Sequence, residues 1–127
     1  MEANTMSKKR KIASWIFVGL MSALFIMSAA MKLTSGSDSE MAKNFAKWGL
    51  EGKLILIGVG ELISAILFLI PKTSSLGVLL LTAHLGGAIA THMEHGEPFL
   101  PQSIMLLLLW VANYLRNPEM FASFFKK

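Results

Sequence analysis

No cysteine occurs in the 127 residues. That excludes disulfides, thiolate metal sites and any sulfur chemistry carried by the chain's own thiol, and it leaves the redox character of the compartment without a trace. Acidic residues are also scarce, with 8 Asp and Glu against 12 Lys and Arg and a formal net charge of +4. The basic residues flank apolar blocks, so the excess reads as membrane topology and not as a nucleic-acid surface. Inside the apolar blocks there is one carboxylate, Glu61.

What is present in quantity is apolar. Hydrophobic residues make up 54% of the chain and come in runs, which a soluble domain of this size rarely shows. The expectation is an all-α membrane four-helix bundle, with spans at 12–33, 53–71, 75–92 and 101–116. A basic segment, 1–11, precedes it, and a short interfacial tail, 117–127, follows. "KKRK" (Lys8 to Lys11) resembles the start of a signal peptide, but the following run of about 20 apolar residues is longer than a signal core and suits a first span. Pro71 stops the second run, and Pro101 opens the fourth as a first-turn residue. The later runs, at about 17 residues or roughly 26 Å, just cross a bilayer core. With four spans, Lys8 to Lys11, Lys72, Arg116, Lys126 and Lys127 fall on one side, which places both termini in the cytoplasm of a bacterial inner membrane. In the first outer loop "AKNFAKWGL" reads as a short amphipathic helix anchored by Phe45 and Trp48, or as an ordered loop.

Helical spacing sorts each span into a small-and-polar stripe. The stripes are Ser22, Phe25, Ser28, Ala29 and Lys32; Gly58, Glu61, Ser64 and Ala65; Gly77, His84, Gly87, Ala88 and Thr91; and Ser103, Trp110, Asn113, Tyr114 and Asn117. Small residues let backbones approach, and polar side chains turn from lipid. Glu61 lies ten residues before Pro71, and His84 nine after Ser75, so both stand about 14 Å above the tight turn that makes their helices antiparallel neighbours. An isolated ionised carboxylate at that depth costs at least a few kcal/mol, and His84 is the natural partner. Glu61 and His84 are therefore the candidate catalytic, proton-handling pair; a helix-locking role is the plainer alternative. Candidate ligand contacts are Ser28, Lys32, Gly58, Gly87, Thr91, His92, Trp110 and Asn113. For Lys32 the readings are snorkelling, pairing with a loop carboxylate, or a cation at the cavity mouth. For Trp110 and Asn113, packing and interface anchoring weigh ahead of ligand contact. His92, Glu94, His95 and Glu97 match no strong metal signature, and no metal is expected.

"FIMSAAMKL", "FAKWGL", the run from "GVGEL" through the Pro turn to "HLGGAIATHMEHGEP", and "RNPEMF" resemble the DoxX-like family of small four-span membrane proteins over nearly the whole chain. The family's usual polar positions correspond to Lys32, Glu61, His84 and His92. The resemblance implies an accessory membrane subunit for a redox enzyme, with a quinone as candidate cofactor or ligand and a membrane or periplasmic redox protein as partner. No haem, flavin or iron–sulfur motif is visible in the chain itself. Two alternatives stand beside this: an acid–base enzyme acting on a lipophilic substrate, such as an isomerase or epoxide-opening enzyme, and a membrane chaperone or scaffold. Lipid, a lipophilic small molecule and a second copy of the chain complete the expected partners.

Overall fold

A computed structural model describes residues 7–124; the parts of the basic segment and of the tail at 1–6 and 125–127, with Lys126 and Lys127, lie outside the described residues. The described chain is all helical. Five α-helices follow in order: α1 Lys8–Thr34, α2 Glu40–Lys47, α3 Leu54–Leu69, α4 Ser74–Glu94 and α5 Leu100–Arg116. Short 3-10 turns occupy Pro71–Thr73 and Pro118–Phe124.

The ends of these helices follow from local chemistry. Ser7 caps α1, its hydroxyl accepting from the Arg10 amide at 3.1 Å, so the helix starts at Lys8 and not at Ile12 as the apolar run alone predicts. Ser39 caps α2 in the same way through Ala42, with Glu40 in the first turn and Lys47 in the last, where the helix dipole favours them. The loop segment expected to be helix or ordered loop is thus a helix, starting two residues earlier at its cap and ending at Lys47. Gly49 and Gly52 take φ of 80° and 78°, which lets the chain turn back into α3. Pro71 ends α3, and α4 follows after a single 3-10 turn, so α3 and α4 form a tight hairpin.

Four helices close a ring in which α1 packs on α3 and α5, and α4 packs on the same two. The core is a cluster from these four, including Val18, Phe25, Phe68, Val78, Leu81, Leu109 and Ala112. The stripes of α1 and α3 face it: Ser22, Phe25 and Ala29, and Gly58, Glu61, Ser64 and Ala65, are all buried. The α5 stripe differs. Leu109 and Ala112 join Asn113 inside, while Tyr114 is 49% exposed. The polar atoms of Tyr and Trp draw them to boundaries, and the small and aliphatic residues beside them fill the interior instead.

At Gly77, α4 meets the backbone of α3. A Cβ on Gly77 would lie 2.2 Å from the backbone nitrogen of Phe68, so only glycine fits. Arg116 then ties α5 to the end of α3, donating to the Phe68 and Leu69 carbonyls at 2.8 and 2.9 Å, and its guanidinium lies 4.5 Å from the Trp15 ring centre. Arg10 reaches the Leu115 and Tyr114 carbonyls at 3.2 and 2.7 Å.

The outside is oily. Leu20, Leu56 and Leu107 are 64%, 68% and 67% exposed, and large apolar side chains cover the outward faces of all four ring helices. Lys8–Thr34 and Pro71–Glu94 are long and apolar enough to cross a membrane, and Leu54–Leu69 is apolar but shorter. Gly77→Ala will lose about 2 kcal/mol or more of stability, because the backbone of Phe68 cannot move aside. Gly86→Ala, where nothing lies within 4 Å of the added carbon, will be neutral or stabilise by up to about 1 kcal/mol, because alanine is the better helix former. Thermal unfolding in detergent measures both, and equal effects would contradict this packing.

Candidate functional site

Glu61 sits midway along α3 and is 2% exposed. Its Oε1 accepts from Lys32 Nζ at 2.8 Å and from Ser28 Oγ at 3.2 Å. Lys32 Nζ also donates to Ser28 Oγ at 2.8 Å, closing a three-membered network. His84 Nε2 lies 3.4 Å from the other carboxylate oxygen, Oε2. Both oxygens of the single carboxylate of the apolar runs are therefore engaged, each from a different neighbouring helix.

Of the readings for Lys32, snorkelling and a loop-carboxylate partner do not hold: its side chain is 12% exposed, turned inward, and lines a cavity beside the network. The cause is helix geometry. Side chains lean toward the N-terminus of their helix, so a lysine in the last turn of α1 reaches back along the bundle over Ser28, one turn earlier. Gly58 makes the approach possible. A Cβ there would lie 3.0 Å from Lys32 Cβ, so Gly58 sets the spacing of α1 and α3 and does not line a ligand space.

Beside this network the bundle opens into a cavity of about 790 Å³. Its volume lies within the usual range of ligand pockets. Leu24, Phe25, Ile57, Leu85 and Met105 form its apolar wall, and Ser28, Lys32, Glu61, His84, Thr91 and His92 are polar groups on it. Gly87 leaves open space, with no atom within 4 Å of where its Cβ would be. The α2 segment covers one side through Met41, Asn44, Phe45 and Trp48. Phe45 is only 8% exposed, and the Trp48 ring lies 4.8 Å from that of His92. These two aromatics turn toward the cavity, where the Trp48 ring meets His92 of α4.

Other candidates lie apart from this space. Trp110 donates its indole N–H to Thr82 Oγ1 at 3.0 Å and packs edge-on against Phe121. Asn113 is fully buried, donating to Met120 Sδ at 3.2 Å and accepting from Asn117 at 3.2 Å. Both pack at the Arg116 end of the bundle, and neither lines this cavity. His92 Nδ1 lies 2.7 Å from the Ala88 carbonyl and His95 Nδ1 2.9 Å from that of Thr91. No group of three or more His, Asp or Glu able to hold a metal occurs among the described residues. Asn44, Gln102 and Met105 line the cavity and carry no sequence expectation. Gln102, Met105, Leu109 and Ala112 follow at three- and four-residue steps, a signal of one face that the more polar Trp110 and Tyr114 obscure.

The family model of the DoxX-like family matches residues 16–113. The chain belongs to the DoxX-like family. No match occurs among curated proteins or among solved structures. Family membership and the two long apolar helices together support a membrane protein. The matched stretch of this DoxX-like chain contains the whole Ser28, Lys32, Glu61 and His84 network and the residues that line the cavity. Trp110→Phe will lower stability by about 1 kcal/mol through loss of the Thr82 bond, and will leave any ligand-induced rise in melting temperature unchanged. Loss of that rise would restore Trp110 to the site.

Proposed function

We propose that this DoxX-like protein crosses the bacterial inner membrane four times, with both termini cytoplasmic, and holds a quinone-like lipophilic molecule in its cavity as the accessory subunit of a redox protein. The carrying observation is the apolar cavity of about 790 Å³ with Lys32, Glu61 and His84 on its wall. A membrane redox carrier needs an oily enclosure for its ring and tail, and hydrogen-bond donors for its oxygens. The wall supplies both. Lys32 Nζ and His84 Nε2 are the ionisable groups beside the carboxylate, at 2.8 and 3.4 Å, and Glu61 positions them from either side. The quinone supplies the two-electron chemistry when bound, and the electrons come from the partner protein. The chain's part is to exclude water, orient the ring and hold a proton between Glu61 Oε2 and His84 Nε2 at 3.4 Å.

The orientation follows the basic residues: Lys8 to Lys11, Lys72 and Arg116 lie on the proposed cytoplasmic side. The outward Leu and Ile faces support contact with acyl chains. A second reading draws on one further feature. With Oε1 taken by Lys32 and Ser28, Oε2 is the carboxylate oxygen that faces His84, which also suits an acid–base enzyme for a lipophilic substrate.

Decylubiquinone added to the purified protein in detergent will raise its melting temperature; at a hundredfold excess over Kd the gain is about 2.7 kcal/mol. Gly87→Phe, which fills open cavity space, will abolish the rise while retaining the unliganded melting point. An unchanged melting temperature of the native protein at saturating ligand would refute quinone binding.

A further inference from the structure

We propose that Trp48, His92 and Gln102 form a second polar subsite in the same cavity, one that takes a neutral hydroxyl group on the lipophilic ligand. The inference rests on the reading of the cavity as a ligand site and adds which chemical group it selects. Trp48 Nε1 and Gln102 Oε1 are buried and have no hydrogen-bond partner. Buried polar atoms in native proteins are rarely left so, and two on residues lining one cavity point to a group that satisfies both. Both residues flank His92: the Trp48 ring at 4.8 Å between centres, and Gln102 Nε2 at 3.3 Å from His92 Nε2.

A relay of hydrogen bonds determines which end of Gln102 is free. The Ala88 carbonyl, 2.7 Å from His92 Nδ1, can only accept, so Nδ1 carries the proton. In the neutral ring Nε2 is then an acceptor, and the Gln102 amide NH₂ donates to it. The amide oxygen is left as an acceptor with nothing to accept. The Trp48 indole is only a donor. The subsite thus offers one donor and one acceptor. A hydroxyl is the smallest group that answers both, donating to Gln102 and accepting from Trp48. A carbonyl or ether oxygen answers Trp48 alone and leaves Gln102 unpaired. Both atoms are covered in this conformation, so the hydroxyl enters by displacing the groups that cover them while the Gln102–His92 bond is kept. His92 stands eight residues beyond His84 on α4, about 12 Å along the axis, so the hydroxyl sits apart from the Glu61 network. For a quinone-like ligand the subsite selects the reduced form, whose oxygens carry hydrogens.

The test uses the full chain in detergent, para-pentylphenol and its methyl ether, with affinities read by calorimetric titration. The phenol will bind roughly tenfold tighter or more, as expected where a buried acceptor is otherwise left unpaired. Gln102→Met will bring the phenol down to the affinity of the ether and leave the ether unchanged; Trp48→Phe will weaken both. Equal binding of phenol and ether by the native protein overturns the subsite, as does a phenol preference that survives Gln102→Met. If neither probe binds but decylubiquinone does, the subsite is also overturned while the ligand-binding reading stands. If all three fail to bind, that reading falls and the subsite with it. Should either variant fail to fold, the ratio of the two probes on the native protein decides.

Discussion

One carboxylate buried in an apolar helix sets the terms for this bundle. Glu61 is 2% exposed, so it must be met by donors from its neighbours. Lys32 and Ser28 come from α1 and His84 from α4, and together they engage both oxygens. That requirement fixes the relative depth and rotation of three helices at one level. Slipping either neighbour by one residue would turn its polar group toward the oily exterior.

Close packing makes the arrangement attainable and also limits it. Gly77 brings α4 against the backbone of Phe68, and Gly58 brings α1 against α3. Arg116 and Arg10 fasten the same end through backbone carbonyls. Toward the other end Gly87, Ala88 and Thr91 are too small to fill the space between α4 and its neighbours, and the cavity results. A tight half and an open half thus share one set of helices, with the charged network at their border. The apolar side of α2 closes the open half, which joins a loop segment to the site.

Much of the architecture is legible in the residue pattern. The polar stripes of α1 and α3 predict their buried faces because small and polar residues recur there at helical steps with bulky aliphatic residues between. The matched depth of Glu61 and His84 follows from counting residues out of the Pro71 turn, and the two lie 3.4 Å apart. The partner of Lys32 is not legible in this way. Position near the end of a helix suggests a side chain leaving the bundle, whereas the backward lean of helical side chains carries it in. The face of α5 is obscured because Trp110 and Tyr114 look polar enough to belong inside, yet Leu109 and Ala112 do the packing. Trp48 is visible in the sequence as an aromatic of the loop helix, but its place against His92 depends on how α2 folds across the bundle, a long-range event with no periodicity to signal it.

A double-mutant cycle on Lys32 and Glu61, followed by unfolding in detergent, tests the dependence on this network most directly. Removing one member leaves a buried charge without its partner, so Lys32→Met and Glu61→Gln will each destabilise the protein. The double variant will lose less than the sum of the two, with a coupling energy above about 1 kcal/mol. Strict additivity, or single variants as stable as the native chain, would show that the fold does not rest on the pairing of these two side chains.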